Sequence, residues 1–202
     1  IVGVSSLLIA CNIFHLYHNF ADSFEMSFFQ VSNVITTTGF GFGNTVDWPL
    51  FSQFLLLMLM VVGGSAGSTA GGLKVIRCLI LARIGKNQIR STLSPNRVMT
   101  LHVNGTALDK DTQHKILKYF VVYTLITIAL IAVVSFDSNN FMTVVSAVFS
   151  CFNNIGPMIG TTDTFAIFSP ISKFLLSIAM IAGRLEIYPM LLLFMPRTWS
   201  DR

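Results

Sequence analysis

The sequence predicts an all-α integral membrane protein with two parallel repeats. Each repeat is a transmembrane helix, a re-entrant helix, a glycine-rich loop and a second transmembrane helix. Apolar residues make up 53% of the 202-residue chain and charged residues only 11%, whereas soluble domains carry about 25% charged residues. The mean hydropathy is +0.70. The same order of long and short apolar runs, separated by glycine-rich segments, occurs twice.

The net charge of +4 comes from cations that cluster in one segment. Nine of the thirteen lysines and arginines are Lys74, Arg77, Arg83, Lys86, Arg90, Arg97, Lys110, Lys115 and Lys118. The positive-inside rule places this segment in the cytoplasm. We therefore expect the partner to be the lipid bilayer and not nucleic acid.

The first repeat occupies residues 1–90. Residues 1–18 are apolar and supply most of a spanning helix, which needs about 20 residues. Residues 22–35 are too few to span and predict a re-entrant helix, followed by the loop 36–43. Leu50–Val62 begins a second span, which the glycine-rich segment 63–72 interrupts. Residues 73–90 continue as an amphipathic helix that leaves the membrane on the inside.

A polar segment, residues 91–112, predicts a cytoplasmic linker between the repeats. The second repeat occupies residues 113–202. Its spans are residues 113–136 and 169–195, and between them lie the short apolar run Phe141–Phe152 and the loop 153–160. The chain opens on Ile1 within an apolar run, so we expect a fragment whose missing part is N-terminal.

The two loops align when Gly39 is placed on Gly156, a shift of 156 − 39 = 117 residues. With this shift Phe24 matches Phe141, Val31 matches Val148, Phe51 matches Phe168 and Ser52 matches Ser169. Two parallel units cannot close a ring around an ion on an axis, but four can. We therefore expect two further repeats, supplied by the missing N-terminal part.

The first loop resembles the filter pattern TVGYG of potassium channels. Thr37, Gly39 and Gly41 keep the threonine and both glycines in register, and glycine allows successive carbonyls to turn toward one axis. A ring of carbonyls can replace the hydration shell of a cation. The predicted potassium-binding residues are Thr37, Thr38, Gly39 and Phe40 in the first loop and Asn154, Ile155, Gly156 and Pro157 in the second. A plain glycine turn between helices is the alternative.

The segment 63–72 predicts an intramembrane gate, because irregular backbone at membrane depth is tolerated only in protein or beside a cavity. The candidate gate residues are Gly63, Gly64, Ser65, Gly67, Ser68, Thr69, Gly71, Gly72 and Arg184. Arg184 lies within the last span, where an unpaired cation costs about 2.5–3.5 kcal/mol, so it should face a cavity or a partner. Close helix packing by small residues is the alternative for the loop, and snorkelling is the alternative for Arg184.

Enzyme chemistry is not expected. A phosphate-binding loop of the form GxxxxGK[ST] fails, because Leu73 follows Gly72 where lysine is required. A serine protease would need a base beside Ser65 or Ser68. The histidines His15 and His18 lie near the outer end of the first span, whereas the loop that contains these serines lies toward the inside.

Four stretches together resemble the TrkH family, membrane subunits of bacterial potassium uptake in the Trk/Ktr/HKT superfamily. They are VSNVITTTGFG, GGSAGSTAGGLKVIR, FNNIGP and GRLEIYPMLLLFMPRTW. The resemblance implies that the two units are the third and fourth of four pore repeats in a homodimer. It implies a location in the inner (plasma) membrane of a bacterium, with potassium as the bound ion and no organic cofactor in this chain. It also implies TrkA-type cytoplasmic nucleotide-binding subunits that gate the pore. It also places the interrupted helix below the filter as a gate, with Arg184 beside it.

Two other interpretations remain open at this stage. The chain could belong to a sodium-permeable or proton-coupled cation transporter. It could also be a non-conducting membrane scaffold whose glycine loops only pack helices.

Overall fold

The computed structural model describes residues 1–41, 45–93, 102–103, 106–185 and 190. Within these ranges the helices are α1 (Val2–Tyr17), α2 (Phe20–Ile35), α3 (Leu50–Val62), α4 (Val75–Leu93), α5 (Lys110–Val134), α6 (Phe141–Phe152) and α7 (Pro170–Leu185). A single 3-10 turn covers Phe165–Ile167 in the same ranges. The linker contains an antiparallel pair of two-residue strands, β1 (His102–Val103) and β2 (Thr106–Ala107). Apart from this short strand pair, the predicted all-helical membrane fold is confirmed.

The helices α1 and α2 form a hairpin with a very short connection. His18 ends α1 in a left-handed conformation, φ 54°. The Asn19 side chain then caps α2 by accepting a hydrogen bond from the Ala21 N–H at 3.2 Å. At the buried interface, the Ser27 hydroxyl donates to the Ser6 carbonyl at 2.9 Å. Small hydroxyl residues of this kind allow two membrane helices to approach closely.

The two predicted re-entrant helices are too short to span the membrane, but the predicted spanning helices α1 and α3, with 16 and 13 residues, are no longer than α2. Helix α2 has 16 residues and α6 has 12. At 1.5 Å per residue they extend about 24 and 18 Å, less than the ~30 Å hydrocarbon core. Among the described residues, α5 with 25 residues is long and apolar enough to cross a membrane by itself.

The core lies where α1, α2 and α3 meet, around Ile9, Val31 and Leu56, which are fully buried. Large apolar side chains also face outward: Phe136 is 90% exposed and Phe174 is 67% exposed. Polar side chains such as those of Ser6, Ser27, Ser52 and Ser172 are buried instead. This distribution suits a protein whose surrounding solvent is lipid.

The repeat register changes after the second loop. Helix α3 begins at Leu50 and α7 begins at Pro170, a shift of 170 − 50 = 120. The predicted pairing of Phe51 with Phe168 and of Ser52 with Ser169 was therefore wrong. The second copy has three more residues between its loop and its second span, where the 3-10 turn lies. At the corrected shift Ser52 matches Ser172, Phe54 matches Phe174, Met60 matches Met180 and Gly63 matches Gly183.

Some predicted segments lie outside the described residues. The last span is described from Pro170 to Leu185, and the closing segment of the chain, apart from residue 190, is not. Most of the linker between residues 94 and 107 is likewise outside the description, as are residues 42–44 of the first loop.

Candidate functional site

The first glycine-rich loop leaves the C-terminal end of α2 through a tight turn. The Thr37 N–H donates to the Val34 carbonyl at 3.2 Å, and the Thr38 N–H donates to the Asn33 carbonyl at 3.1 Å. Thr37 has φ 53° and Gly39 has φ 79°. Two left-handed residues so close together turn the chain away from the helix axis into an extended loop.

The second loop repeats this geometry at the shift of 117 residues. The Asn154 N–H donates to the Cys151 carbonyl at 3.1 Å, and the Ile155 N–H donates to the Ser150 carbonyl at 2.9 Å. Asn154 has φ 55° and Gly156 has φ 112°, both positive like their counterparts in the first loop. The two loops are therefore equivalent in backbone structure although few side chains are shared.

A polar side chain on each re-entrant helix holds its loop. In the first copy Asn33 donates to the Phe40 carbonyl at 2.7 Å and accepts from the Phe40 N–H at 2.9 Å. The counterpart of Phe40 is Pro157, which has no N–H to satisfy. The counterpart of Asn33 is Ser150, whose hydroxyl accepts from the Gly156 N–H at 3.1 Å. Each polar side chain thus suits the hydrogen-bonding groups of its own loop.

The two loops lie against each other at their glycines. A Cβ atom added to Gly39 would lie 2.1 Å from the Ile155 carbonyl oxygen. A Cβ atom added to Gly156 would lie 3.7 Å from the Cα atom of Gly39. Gly39 is thus required both by its positive φ and by the close approach of the second loop.

The electrostatic setting of the loops favours a cation. Both re-entrant helices direct their C-terminal ends at the loops, and neither has a basic residue in its last turn. The C-terminal end of a helix carries about half a negative charge. Among the described residues no group of three or more His, Cys, Asp or Glu side chains could hold a metal ion.

The candidate gate loop, residues 63–72, lies directly against the ends of both re-entrant helices. A Cβ atom on Gly64 would lie 3.6 Å from the Ile35 carbonyl at the end of α2. One on Gly71 would lie 2.2 Å from the carbonyl of Asn153, which follows α6. The loop also folds back on itself, because the Leu73 N–H donates to the Val61 carbonyl at 3.0 Å.

Several gate-loop residues adopt conformations that glycine favours. Gly63, Gly67 and Gly72 have φ of 65°, 81° and 85°. The Ser68 hydroxyl donates to the Ser65 carbonyl at 2.8 Å and stabilises the turn at the tip.

Arg184 reaches the gate loop from the last helix. Its Nη1 atom donates a hydrogen bond to the Thr69 carbonyl. Gly183 lets α7 approach the base of the second loop, since a Cβ atom there would lie only 1.8 Å from the Phe152 carbonyl. At the corrected register Gly183 matches Gly63, so Arg184 and the start of the loop lie at equivalent positions in the two copies.

Sequence reasoning assigned no role to three side chains that hold this site: Asn33, Ser150 and Tyr123. The Tyr123 hydroxyl donates to Asn153 Oδ1 at 2.8 Å, and its ring stacks on Phe152 with centroids 4.9 Å apart. A polar residue within an apolar helix was the available signal for each. Their partners follow only from the tertiary contacts.

The repeated unit of helix, re-entrant helix, loop and helix defines a helical membrane protein built from two repeats. The family model described as TrkH, a cation transport protein, matches residues 15–201. The chain belongs to the TrkH family, and as a member it is a multi-pass protein of the bacterial inner membrane.

Individual relatives agree with this membership. The chain is 35% identical to the Trk system potassium uptake protein TrkH of Salmonella typhimurium, over 99% of this chain and 43% of that protein. It is also 35% identical to the Trk system potassium uptake protein TrkG of Escherichia coli, over 89% of this chain and 37% of that protein. The crystal structure of the potassium transporter TrkH from Vibrio parahaemolyticus superposes with a TM-score of 0.90 at 32% identity, covering 99% of this chain and 43% of that one. The chain thus spans less than half the length of these relatives.

Proposed function

We propose that this chain forms two neighbouring repeats of a pore for potassium uptake, the third and fourth of four. The observation that carries the proposal is the pair of equivalent loops. They share positive φ values and turn hydrogen bonds, and they meet at Gly39 and Ile155. The relatives that cover nearly the whole chain are named potassium uptake proteins. The other two repeats belong to the remainder of a longer protein.

The filter consists of backbone oxygens from both loops. Thr37, Thr38, Gly39 and Phe40 contribute in the first loop, and Asn154, Ile155, Gly156 and Pro157 contribute in the second. The Phe40 carbonyl accepts the hydrogen bond from Asn33, and its second lone pair remains for the ion. Because the two loops differ in sequence, the ring is asymmetric and coordinates the ion less tightly than four identical loops do.

The gate consists of the loop 63–72 together with Arg184. In the closed state, Arg184 holds the loop through the Thr69 carbonyl and places a positive charge below the filter. Release of this hydrogen bond allows the loop to move aside. Glycines at several of its positions lower the steric barrier to that movement.

The complete assembly is a homodimer regulated from the cytoplasm by TrkA-type nucleotide-binding subunits. The basic segment from Lys74 to Lys118 lies on the cytoplasmic side, as its charge supports, and the part of it that extends beyond the membrane surface contacts these subunits. Potassium is the transported ion, and the chain needs no organic cofactor for this function.

Substitution of Gly39 by serine in the full-length protein tests the filter. The new Cβ atom would overlap the Ile155 carbonyl and would require a positive φ that costs an L-residue about 1–2 kcal/mol. We expect potassium uptake to fall at least tenfold, or the ratio of potassium to sodium uptake to drop toward one. Uptake of both ions is measured in cells that lack other potassium transporters.

Gly3→Ser is the matched control, since Gly3 has no neighbour within 4 Å of an added Cβ atom. It should transport potassium like the wild type. Unchanged uptake and selectivity in Gly39→Ser would contradict the filter proposal. A wild-type protein that admits sodium equally well would indicate a sodium-permeable transporter, and one that carries neither ion would indicate a scaffold.

A further inference from the structure

A basic groove lies between α4 and α5, outside the candidate filter and gate. Its volume is about 460 Å³, and its lining residues are Arg77, Thr112, Lys115, Ile116, Lys118 and Tyr119. Three of the six carry positive charge, while Ile116 and the ring of Tyr119 supply an apolar wall. The groove is therefore amphipathic.

The groove lies at the level where α5 enters the membrane. Lys118 is the last charged residue of this helix, and the following residues through Val134 are uncharged. Cations at this end of a spanning helix face the cytoplasm. The mouth of the groove is thus at the inner leaflet, beside lipid head groups.

Two of the three cations of the groove are exposed to solvent. Lys115 and Lys118 are exposed and make no hydrogen bond or ion pair within the described part of the chain. The Arg77 guanidinium lies over the Tyr119 ring, 4.3 Å from its centroid. Asp109 and Asp111 lie near the start of α5 but do not line the groove. The groove therefore has three positively charged lining residues and no acidic one.

We propose that this groove binds the head group of an anionic phospholipid from the inner leaflet. Lys115 and Lys118 hold the phosphate, and the Arg77 guanidinium on Tyr119 adds positive charge beside them. The apolar part of the lipid lies against Ile116 and Tyr119. Basic pockets between membrane helices on the cytoplasmic side suit anionic head groups, and each cation near such a surface contributes about 1 kcal/mol. The apolar wall and the membrane level favour a lipid over an acidic protein surface.

The groove also adjoins the gate loop. Tyr119 lines a second, smaller cavity together with Thr69, Gly72 and Arg184. A lipid that fixes Arg77 and Tyr119 therefore restrains the wall behind the loop. This regulatory consequence, unlike the binding itself, rests on the proposed function.

The test is lipid retention by the full-length protein. Wild type and the double variant Lys115→Gln/Lys118→Gln are purified in detergent and titrated with phosphatidylglycerol or phosphatidylcholine, and bound lipid is counted by native mass spectrometry. At roughly fivefold per cation, we expect phosphatidylglycerol affinity to fall at least tenfold in the double variant. Phosphatidylcholine should bind weakly and equally to both proteins.

Lys86→Gln/Lys110→Gln is the matched control, because it removes the same charge from α4 and α5 outside the groove. It should retain the wild-type affinity for phosphatidylglycerol. Equal losses in both double variants, or none in either, would overturn the site. Binding of inorganic phosphate or glycerol phosphate as tight as that of the lipid would also overturn it, since a soluble anion would then be the ligand.

A second measurement distinguishes loss of lipid binding from loss of folding. Phosphatidylglycerol should raise the melting temperature of the wild type and of the control variant, but not that of Lys115→Gln/Lys118→Gln. A cytoplasmic partner that loses affinity for this variant while lipid retention stays unchanged would assign the groove to a protein and refute the lipid site. Failure of potassium transport in the wild type would refute the proposed function and leave these binding results unaffected.

Discussion

Tyr123 connects the first helix of the second repeat to the base of the second loop. It is buried in the middle of α5, and its hydroxyl donates to Asn153 Oδ1. The Asn153 carbonyl in turn contacts Gly71 of the gate loop. One hydrogen bond therefore fixes a residue that contacts both the filter and the gate.

Replacement of Tyr123 by phenylalanine should disturb the filter without creating a large cavity in the core. The ring and its stacking on Phe152 are kept, while Asn153 Oδ1 is left buried without a donor, which costs about 1–3 kcal/mol. We expect potassium uptake by the full-length protein to fall several-fold and the ratio of potassium to sodium uptake to change. Parallel uptake assays with the two ions measure both effects.

Tyr17→Phe is the control, since the Tyr17 hydroxyl has no hydrogen bond in the described part of the chain. It should behave as the wild type. If Tyr123→Phe lowers only the melting temperature and leaves the ion ratio unchanged, Tyr123 has a structural role alone.

At this scale the sequence predicts the backbone of the loops better than the side chains that hold them. Glycine and threonine indicated the first loop, and Gly156 together with the repeat indicated the second, because backbone conformation depends on local residue type. The contacts of Asn33 with Phe40 and of Tyr123 with Asn153 bridge 7 and 30 residues. Such contacts depend on how the chain packs, which periodicity does not encode.

At the scale of elements, the gate loop and α7 are joined by the hydrogen bond from Arg184 to Thr69. A hydrogen bond to a charged group contributes about 1.5–3 kcal/mol. Because Arg184 is exposed in this chain, we expect a value at the lower end. Loss of this hydrogen bond should change the ratio of closed to open gate loop by roughly tenfold.

Arg184→Ala in the full-length protein should therefore raise potassium flux and weaken control by the cytoplasmic partner. Uptake with and without that partner measures both effects. Thr69→Val keeps the backbone carbonyl and should leave flux and control unchanged. A fall in flux, or complete dependence on the partner in Arg184→Ala, would show that the arginine is structural.

The repeat itself was predicted correctly through the loops and incorrectly beyond them. A single shift of 117 residues aligned the loops, yet the second spans align at 120. The three additional residues lie in an irregular segment that no periodic pattern marks. The short lengths of α2 and α6 were predictable, since length follows directly from the apolar run.

At the scale of the whole molecule, we expect the repeats to be parallel in the membrane and the basic segment to be cytoplasmic. A cysteine at Gln88 on α4 should then be labelled by an impermeant reagent only after the membrane is opened. A cysteine at Asn139, between α5 and α6, should be labelled in intact cells. Both are placed in a full-length protein whose native cysteines are replaced by serine.

Labelling of the Gln88 position in intact cells would reverse the topology. Labelling of neither position would show that both positions are buried in the assembly. Both variants should first be shown to transport potassium, so that the topology refers to a functional protein.

The central claim is that the two loops bind a dehydrated cation between them. Rubidium substitutes for potassium and gives an anomalous X-ray signal, so crystals of the full-length protein grown in rubidium test the claim most directly. The account predicts anomalous density on the axis between Gly39 and Gly156, within coordinating distance of carbonyl oxygens from both loops. An ordered filter without such density, or rubidium bound only at acidic side chains elsewhere, would contradict it.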